Sequence, residues 1–157
     1  MTHNQERVKV AFRVNGGADL LMESLYALPV GVDMFCLDNS PFYAYGVSFA
    51  DIVYAPISDG TATFLKVVEH RGHSTYRVRL PVGQDHKGFL DRWSELAALG
   101  CTFEGSGRSA RRLYSIDIAP TVDLNSVYKV LSSGEANGWW EFEEAHYCVP
   151  SSVKPSM

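Results

Sequence analysis

Charge is sparse in this 157-residue chain, and what there is leans acidic: 14 lysines and arginines face 18 aspartates and glutamates, a net charge of −4 with a pI near 5.7. Without a global positive field the chain has no means of collecting a polyanion, so nucleic acid is not an expected partner. The cysteines number three; Cys36, Cys101 and Cys148 are widely spaced and form no CxxC pair. That excludes a disulfide framework and fits the reduced thiols of a cytoplasmic protein. No run of about 18 apolar residues occurs, and the start, MTHNQERVKV, has no apolar core of a signal sequence, so a secreted or membrane-bound protein is not expected. Hydrophobic residues nevertheless make up 46% of the chain. It can therefore bury a core and fold.

The first half reads as strands. Over Arg7–Val14, Val8, Val10, Phe12 and Val14 alternate with Arg7, Lys9, Ala11 and Arg13, a period of two with one buried and one basic face. Gly16-Gly17 turns the chain into Leu20–Leu28, and Pro29 and Gly31 break it again. Asp33–Leu37, Asp51–Ala55 and Thr61–His70 continue the series, punctuated by Asp38-Asn39-Ser40-Pro41 and Ser58-Asp59-Gly60. Short strands with regular turns predict a small antiparallel β-barrel or a strongly bent sheet over residues 1–72.

The second half changes period. A strand (Thr75–Leu80), a helix (Asp85–Leu99), two strands (Cys101–Glu104 and Arg112–Ile118), a helix (Thr121–Ser132) and a strand (Trp139–Tyr147) follow in turn. Phe89, Trp93, Leu96 and Gly100 form one helical stripe, and Leu124, Val127, Tyr128 and Leu131 the other. Asp85, and Thr121 or Asp123, are the N-cap candidates, and Gly100 the C-terminal stop. The order predicts an α+β fold in which the β-rich unit precedes a ferredoxin-like βαββαβ sandwich over residues 73–149, leaving 150–157 as a disordered tail. The joint near Gly72 has no linker composition, so the two units should pack together.

That fold hosts many functions, and the residues decide among them. An RNA-binding version needs aromatics on the open face of Arg112–Ile118; if Tyr114, Ile116 and Ile118 face the helices, the open face offers Leu113, Ser115 and Asp117, which stack on nothing. Arg77 and Arg79 of the first strand would share that face with Glu141 and Glu143 of the last, an exposed ion-pair ladder worth a few tenths to about 1 kcal/mol per pair. His73 and Ser74 are adjacent on a strand, point to opposite faces and lie in no GxSxG elbow, so nucleophilic catalysis is not expected. His70 and His73 have only Glu69 as a carboxylate neighbour in sequence; His146 could join them through the fold, but no metal site and no cofactor are expected. The stretch Gly105-Ser-Gly-Arg-Ser-Ala-Arg-Arg112 joins two strands without a GK[ST] ending or a following helix, and reads as a solvated hairpin tip.

Two stretches carry a resemblance: Asn39-Ser-Pro-Phe-Tyr-Ala-Tyr-Gly-Val-Ser-Phe-Ala-Asp51 and Gly72-His-Ser-Thr-Tyr-Arg77. Across roughly the first three-quarters of the chain they resemble the bacterial domain-of-unknown-function family 4265. The resemblance implies a small bacterial cytosolic protein and brings no activity with it. By physical reading the first stretch is a tight loop, a packed corner pinned by its rings Phe42, Tyr43 and Tyr45, with an aromatic contact surface as the alternative. Of Trp139-Trp140-Glu141-Phe142-Glu143-Glu144, one tryptophan should fill the core and the other should lie on the opposite face among carboxylates. The expectation is a non-enzymatic protein-binding module, an immunity or antitoxin protein that meets a basic, nuclease-type toxin domain through Trp139, Glu141, Glu143, Glu144, Tyr43, Tyr45 and His73. The alternative is a ligand-sensing regulatory domain that binds a small molecule at the sheet edge near Gly100, Gly105 and Gly107.

Overall fold

A computed structural model describes residues 6–16, 19–106 and 112–148. The Gly17 turn, most of the 105–112 hairpin tip and the 150–157 tail lie outside them. The first seven strands are β1 (Val8–Gly16), β2 (Asp19–Gly31), β3 (Met34–Leu37), β4 (Ile52–Tyr54), β5 (Ile57–Ser58), β6 (Thr61–Thr63) and β7 (Lys66–Glu69), in one sheet of order β5-β6-β1-β2-β3-β4-β7. Thr61–His70 is two strands rather than the single one its composition suggests. The reason is a switch of partner: Thr63 pairs with Ala11 of β1, and Lys66 with Tyr54 of β4. Only Phe64 and Leu65 span the gap, their N–H groups donating to Ala11 O at 2.8 Å and Tyr54 O at 2.9 Å. β6 is second in the sheet and β7 last, so a two-residue link forces the sheet to curl into a half-barrel. The β1–β6 pair is parallel, an exception to the antiparallel pattern expected.

Alternation along β1 puts Val10, Phe12 and Val14 inside the curl, with Leu25, Ala27, Phe35, Leu37 and Val53. Pro29 does not end β2; the strand continues to Gly31 through a register shift between Pro29 and Gly31, the kind of bulge at which a missing N–H is tolerated.

The second layer is built from β8 (Ser74–Arg79), α1 (His86–Leu99), β9 (Thr102–Ser106), β10 (Leu113–Ile118), α2 (Leu124–Ala136) and β11 (Glu141–His146). Its four strands run in the order β11-β8-β10-β9, every pairing antiparallel. Asp85 caps α1 by accepting the Gly88 N–H at 2.9 Å. Gly100 ends it at φ 107°, with Gly100 N–H on Ala97 O and Cys101 N–H on Leu96 O, the paired closure that a left-handed residue permits. α2 begins at Leu124, later than expected, because Asp123 rather than Thr121 caps it, taking the Asn125 N–H and the Ser126 hydroxyl. Tyr76, Val78, Leu80, Phe89, Leu96, Tyr114, Ile116, Ile118, Val127, Leu131 and Trp140 form this layer's core. Tyr128, expected on the apolar stripe, is exposed and meets the ring of Phe142 edge-on.

The face of β8 and β10 turned away from the helices is not open. The loop of residues 38–51, between β3 and β4, lies across it, so that Arg77 is 2% exposed and Ser115 is fully buried.

Candidate functional site

A loop laid between two sheets must find partners for its own backbone groups. Glu23 on β2 supplies three at once, accepting the N–H groups of Phe42 at 2.6 Å, Tyr43 at 3.1 Å and Ala44 at 2.9 Å. Glu104 on β9 takes Ser40 N–H at 2.7 Å and the Asn39 amide at 3.0 Å. From β8, Arg77 donates to Ala44 O at 2.8 Å, Tyr43 O at 3.4 Å and Pro41 O at 3.5 Å, while Nε meets Glu143 at 2.9 Å. Ser115 Oγ donates to Pro41 O at 2.7 Å. Ala44 and Val47 enter the half-barrel core. The loop's backbone is thus held by carboxylates, a guanidinium and a hydroxyl, and its small apolar side chains by the half-barrel core. Tyr43 and Tyr45 remain 53% and 63% exposed.

The rings border a groove of about 330 Å³ whose other walls include Arg79, Glu141, Phe142 and Glu143. The Tyr45 hydroxyl donates to Glu143 at 2.7 Å, and its ring lies 4.5 Å from the Arg77 guanidinium. The register places Glu141 opposite Arg79 and Glu143 opposite Arg77, as expected. The second of these pairs is buried on its arginine side, at 1% against 48% side-chain exposure for Glu143, and is no exposed ladder.

Of the residues expected to meet a partner, Tyr43, Tyr45, Glu141 and Glu143 come together here. Glu144 points to the helix side, where it accepts the Tyr76 hydroxyl at 2.9 Å; burial, and then this bond, push the Tyr76 phenol well above its usual range. Trp139 does not take the face opposite Trp140. β11 starts only at Glu141, so strand alternation does not reach residue 139; its ring packs against the second core, 6.0 Å from Trp140 and 4.6 Å from the Arg92 guanidinium. His73 donates Nδ1–H to Asp117 at 2.8 Å, against the edge of Phe49. Of the glycines at the β9 edge, Gly100 closes α1 and a Cβ on Gly105 would press on the Tyr114 ring at 3.2 Å, while Gly107 lies outside the described residues.

A second cluster brings His70 and His146 together, as the sequence allowed, but with Asp51 in place of His73; the ligand-type atoms of Asp51, His70 and His146 lie within 4.8 Å of one another. Asp51 is 0% exposed and accepts Ser48 N–H at 3.0 Å, Arg71 N–H at 3.1 Å and His70 Nδ1–H at 2.9 Å. The His70 and His146 rings stack at 4.5 Å. His146 Nδ1 shares a hydrogen bond with Ser48 Oγ at 2.7 Å, which in turn bonds Thr75 Oγ1 at 2.6 Å. Burial, and then the neighbouring His70, hold the His146 imidazole below its ordinary pKa. Ser48 itself is 0% exposed and offers no accessible nucleophile. Asp51 faces His70 because Ile52 pairs with Glu69. A hairpin closed at Ser58-Asp59-Gly60, as the sequence invites, already sets Asp51 within two residues of that position.

These elements define a mixed α+β protein, a curled seven-stranded half-barrel joined by an embedded loop to a four-stranded sheet with two helices. Among the described residues no helix is long and apolar enough to cross a membrane. The chain belongs to the family described as "Domain of unknown function (DUF4265)", whose model matches residues 23–142 and so takes in most of the second layer as well as the loop. No curated protein matches it significantly. Among solved structures it is similar to a hypothetical protein from Neisseria gonorrhoeae, at TM-score 0.78 and 15% identity over 94% of this chain and 99% of that one, a likeness that shows the fold alone.

Proposed function

We propose that this chain is a non-enzymatic, cytoplasmic protein-binding module of the immunity or antitoxin kind, which covers a basic surface of a nuclease-type toxin domain. The observation that carries the reading is the pair Tyr43 and Tyr45, largely exposed yet mounted on a loop whose backbone is fastened by Glu23 and Arg77. Aromatic side chains on a pre-ordered backbone lose little freedom on binding and make strong anchors. Beside them Glu141 and Glu143 are the groove's acceptors for an incoming lysine or arginine, although Arg79 and Arg77, across the strand pair, balance their charge locally. The net charge of −4 acts in the same direction at long range. The reading takes residues 1–72 and 73–149 as two units and the second as a ferredoxin-like sandwich, supported by its strand order β11-β8-β10-β9.

The test is association kinetics of the full chain with the basic protein encoded in the neighbouring reading frame. Glu141→Lys should slow association by about tenfold or more at low salt, with the difference shrinking as salt rises. Tyr43→Ala should chiefly speed dissociation. Absence of binding, or rates unchanged in both variants, would overturn the reading.

A further inference from the structure

We propose that Asp51, His70 and His146 form a binding site for a single divalent transition-metal ion of the zinc class. Two imidazoles and one carboxylate are the donor set such ions prefer, whereas magnesium and calcium want oxygen ligands throughout. The three residues come from three separate places, the end of the 38–51 loop, the residue after β7 and the last position of β11, and their ligand-type atoms meet within 4.8 Å.

An irregularity in the second sheet delivers the third ligand. From Glu141 to Glu144, β11 runs in register against β8; the register then slips, so that His146 pairs with Thr75. Without the slip His146 would oppose Ser74 and project towards the helices with Phe142 and Glu144. With it, the imidazole crosses to the face where Asp51 and His70 lie. Bulges disrupt a ladder locally and recur where a side chain must be re-aimed next to a functional site.

The surroundings are those of a supported ligand set. Backbone N–H groups of Ser48 and Arg71 orient the Asp51 carboxylate. The Ser48 hydroxyl holds Nδ1 of His146, and in the tautomer that donates Nδ1–H to Ser48 the Nε2 lone pair is left for a metal. Ligands about 2.0–2.2 Å from a tetrahedral ion sit roughly 3.4 Å from one another, so separations of up to 4.8 Å must close by as much as about 1.4 Å while the 2.9 Å His70–Asp51 pair opens slightly. His70, whose side chain is 41% exposed, is the member free to swing. Coordination through its Nδ1 replaces the hydrogen bond to Asp51, and the displaced proton passes to Nε2 of the same neutral ring. Three protein ligands leave a tetrahedral ion one further position, for water or for a group brought by a partner. His73 stays out of the set, engaged by Asp117.

The experiment uses the full, tag-free, metal-stripped chain. Zinc titrated calorimetrically should bind at one ion per chain. Cobalt should give the visible bands of nitrogen and oxygen ligation, without a thiolate charge-transfer band. His70→Ala and His146→Ala should each weaken zinc at least about tenfold, and Ser48→Ala by less with the stoichiometry kept. Should His146→Ala fail to fold, His70→Gln carries the test, its exposed side chain leaving the circular dichroism unchanged. Absence of saturable zinc binding at sub-millimolar concentration, affinity unchanged in the folded histidine variants, or a thiolate band would each overturn the site.

Discussion

Arg77 shows what one residue can do when a loop closes over it. The sequence pairs it with Glu143 across β8 and β11, and that pairing is real, yet the value attached to it was that of an exposed ion pair. What changes the magnitude is Pro41, Tyr43 and Ala44, more than 30 residues away in the chain, whose carbonyls end on the guanidinium. No local pattern announces such a contact. Arg77→Met should lower stability by about 3 kcal/mol, because it strands buried carbonyls as well as breaking the pair. Arg77→Lys should recover only part, since an ammonium cannot make the fork. Urea unfolding measures both, with Arg79→Ala as the exposed comparison, expected within about 0.5 kcal/mol of wild type. Cys101 gives a second prediction at this scale. Burial pushes its thiol from 9.0 to about 11, so the folded state keeps the proton longer than the unfolded chain. Its contribution is then constant below pH 9 and declines as pH rises from about 9 to about 11. The destabilisation caused by Cys101→Ala, read by urea unfolding, should therefore be smaller at pH 10.5 than at pH 8, and an equal or larger loss at the higher pH would refute the assignment.

At the level of elements, periodicity located most strands and both helices, and it failed where a partner or a cap decides. Thr61–His70 reads as one strand because nothing in its composition marks the switch from β1 to β4. The start of α2 was misplaced because Thr121 and Asp123 are both good caps, and the choice falls to the turn closed by Val122 N–H on Ala119 O. Helical glycine is a similar case, since its effect depends on what the helix packs against. In α2 a Cβ at Gly134 would stand 2.3 Å from the Trp140 ring, which is itself fixed by Nε1–H on Leu131 O at 2.9 Å. In α1 a Cβ at Gly88 meets nothing nearer than Asp85 Oδ1 at 3.4 Å. The same substitution should thus have opposite signs: Gly88→Ala is expected to stabilise by about 0.5–1 kcal/mol through backbone entropy. Gly134→Ala is expected to destabilise by about 1–3 kcal/mol through overpacking. Denaturant midpoints of the two variants give the comparison directly.

For the whole molecule, the α+β class and the two-part order were legible because hydrophobic period changes near residue 73, and period survives without knowledge of contacts. The relation between the parts was not, because the 38–51 loop belongs to neither pattern. Its apolar members Ala44 and Val47 complete the half-barrel core, while its carbonyls and N–H groups are fastened by Arg77, Ser115 and Glu104 of the other sheet. The His70–His146 stack and the Ser48–Thr75 bond join the same two layers. Neither layer can therefore lose its structure without exposing polar groups or opening a gap in the other, which is the physical condition for one cooperative transition. The three tryptophans, Trp93, Trp139 and Trp140, all lie in the second layer, so their fluorescence follows that layer alone, while amide hydrogen exchange of β1 and β2 follows the half-barrel. The two should report the same midpoint in urea and the same free energy of opening. If β1 and β2 exchanged at a markedly lower free energy, the loop would be a contact between independent units rather than a shared part of both cores. With Arg77→Met the half-barrel's exchange should accelerate although the substituted residue sits in the other sheet, and that transfer of an effect across the loop is the sharper check on the coupling.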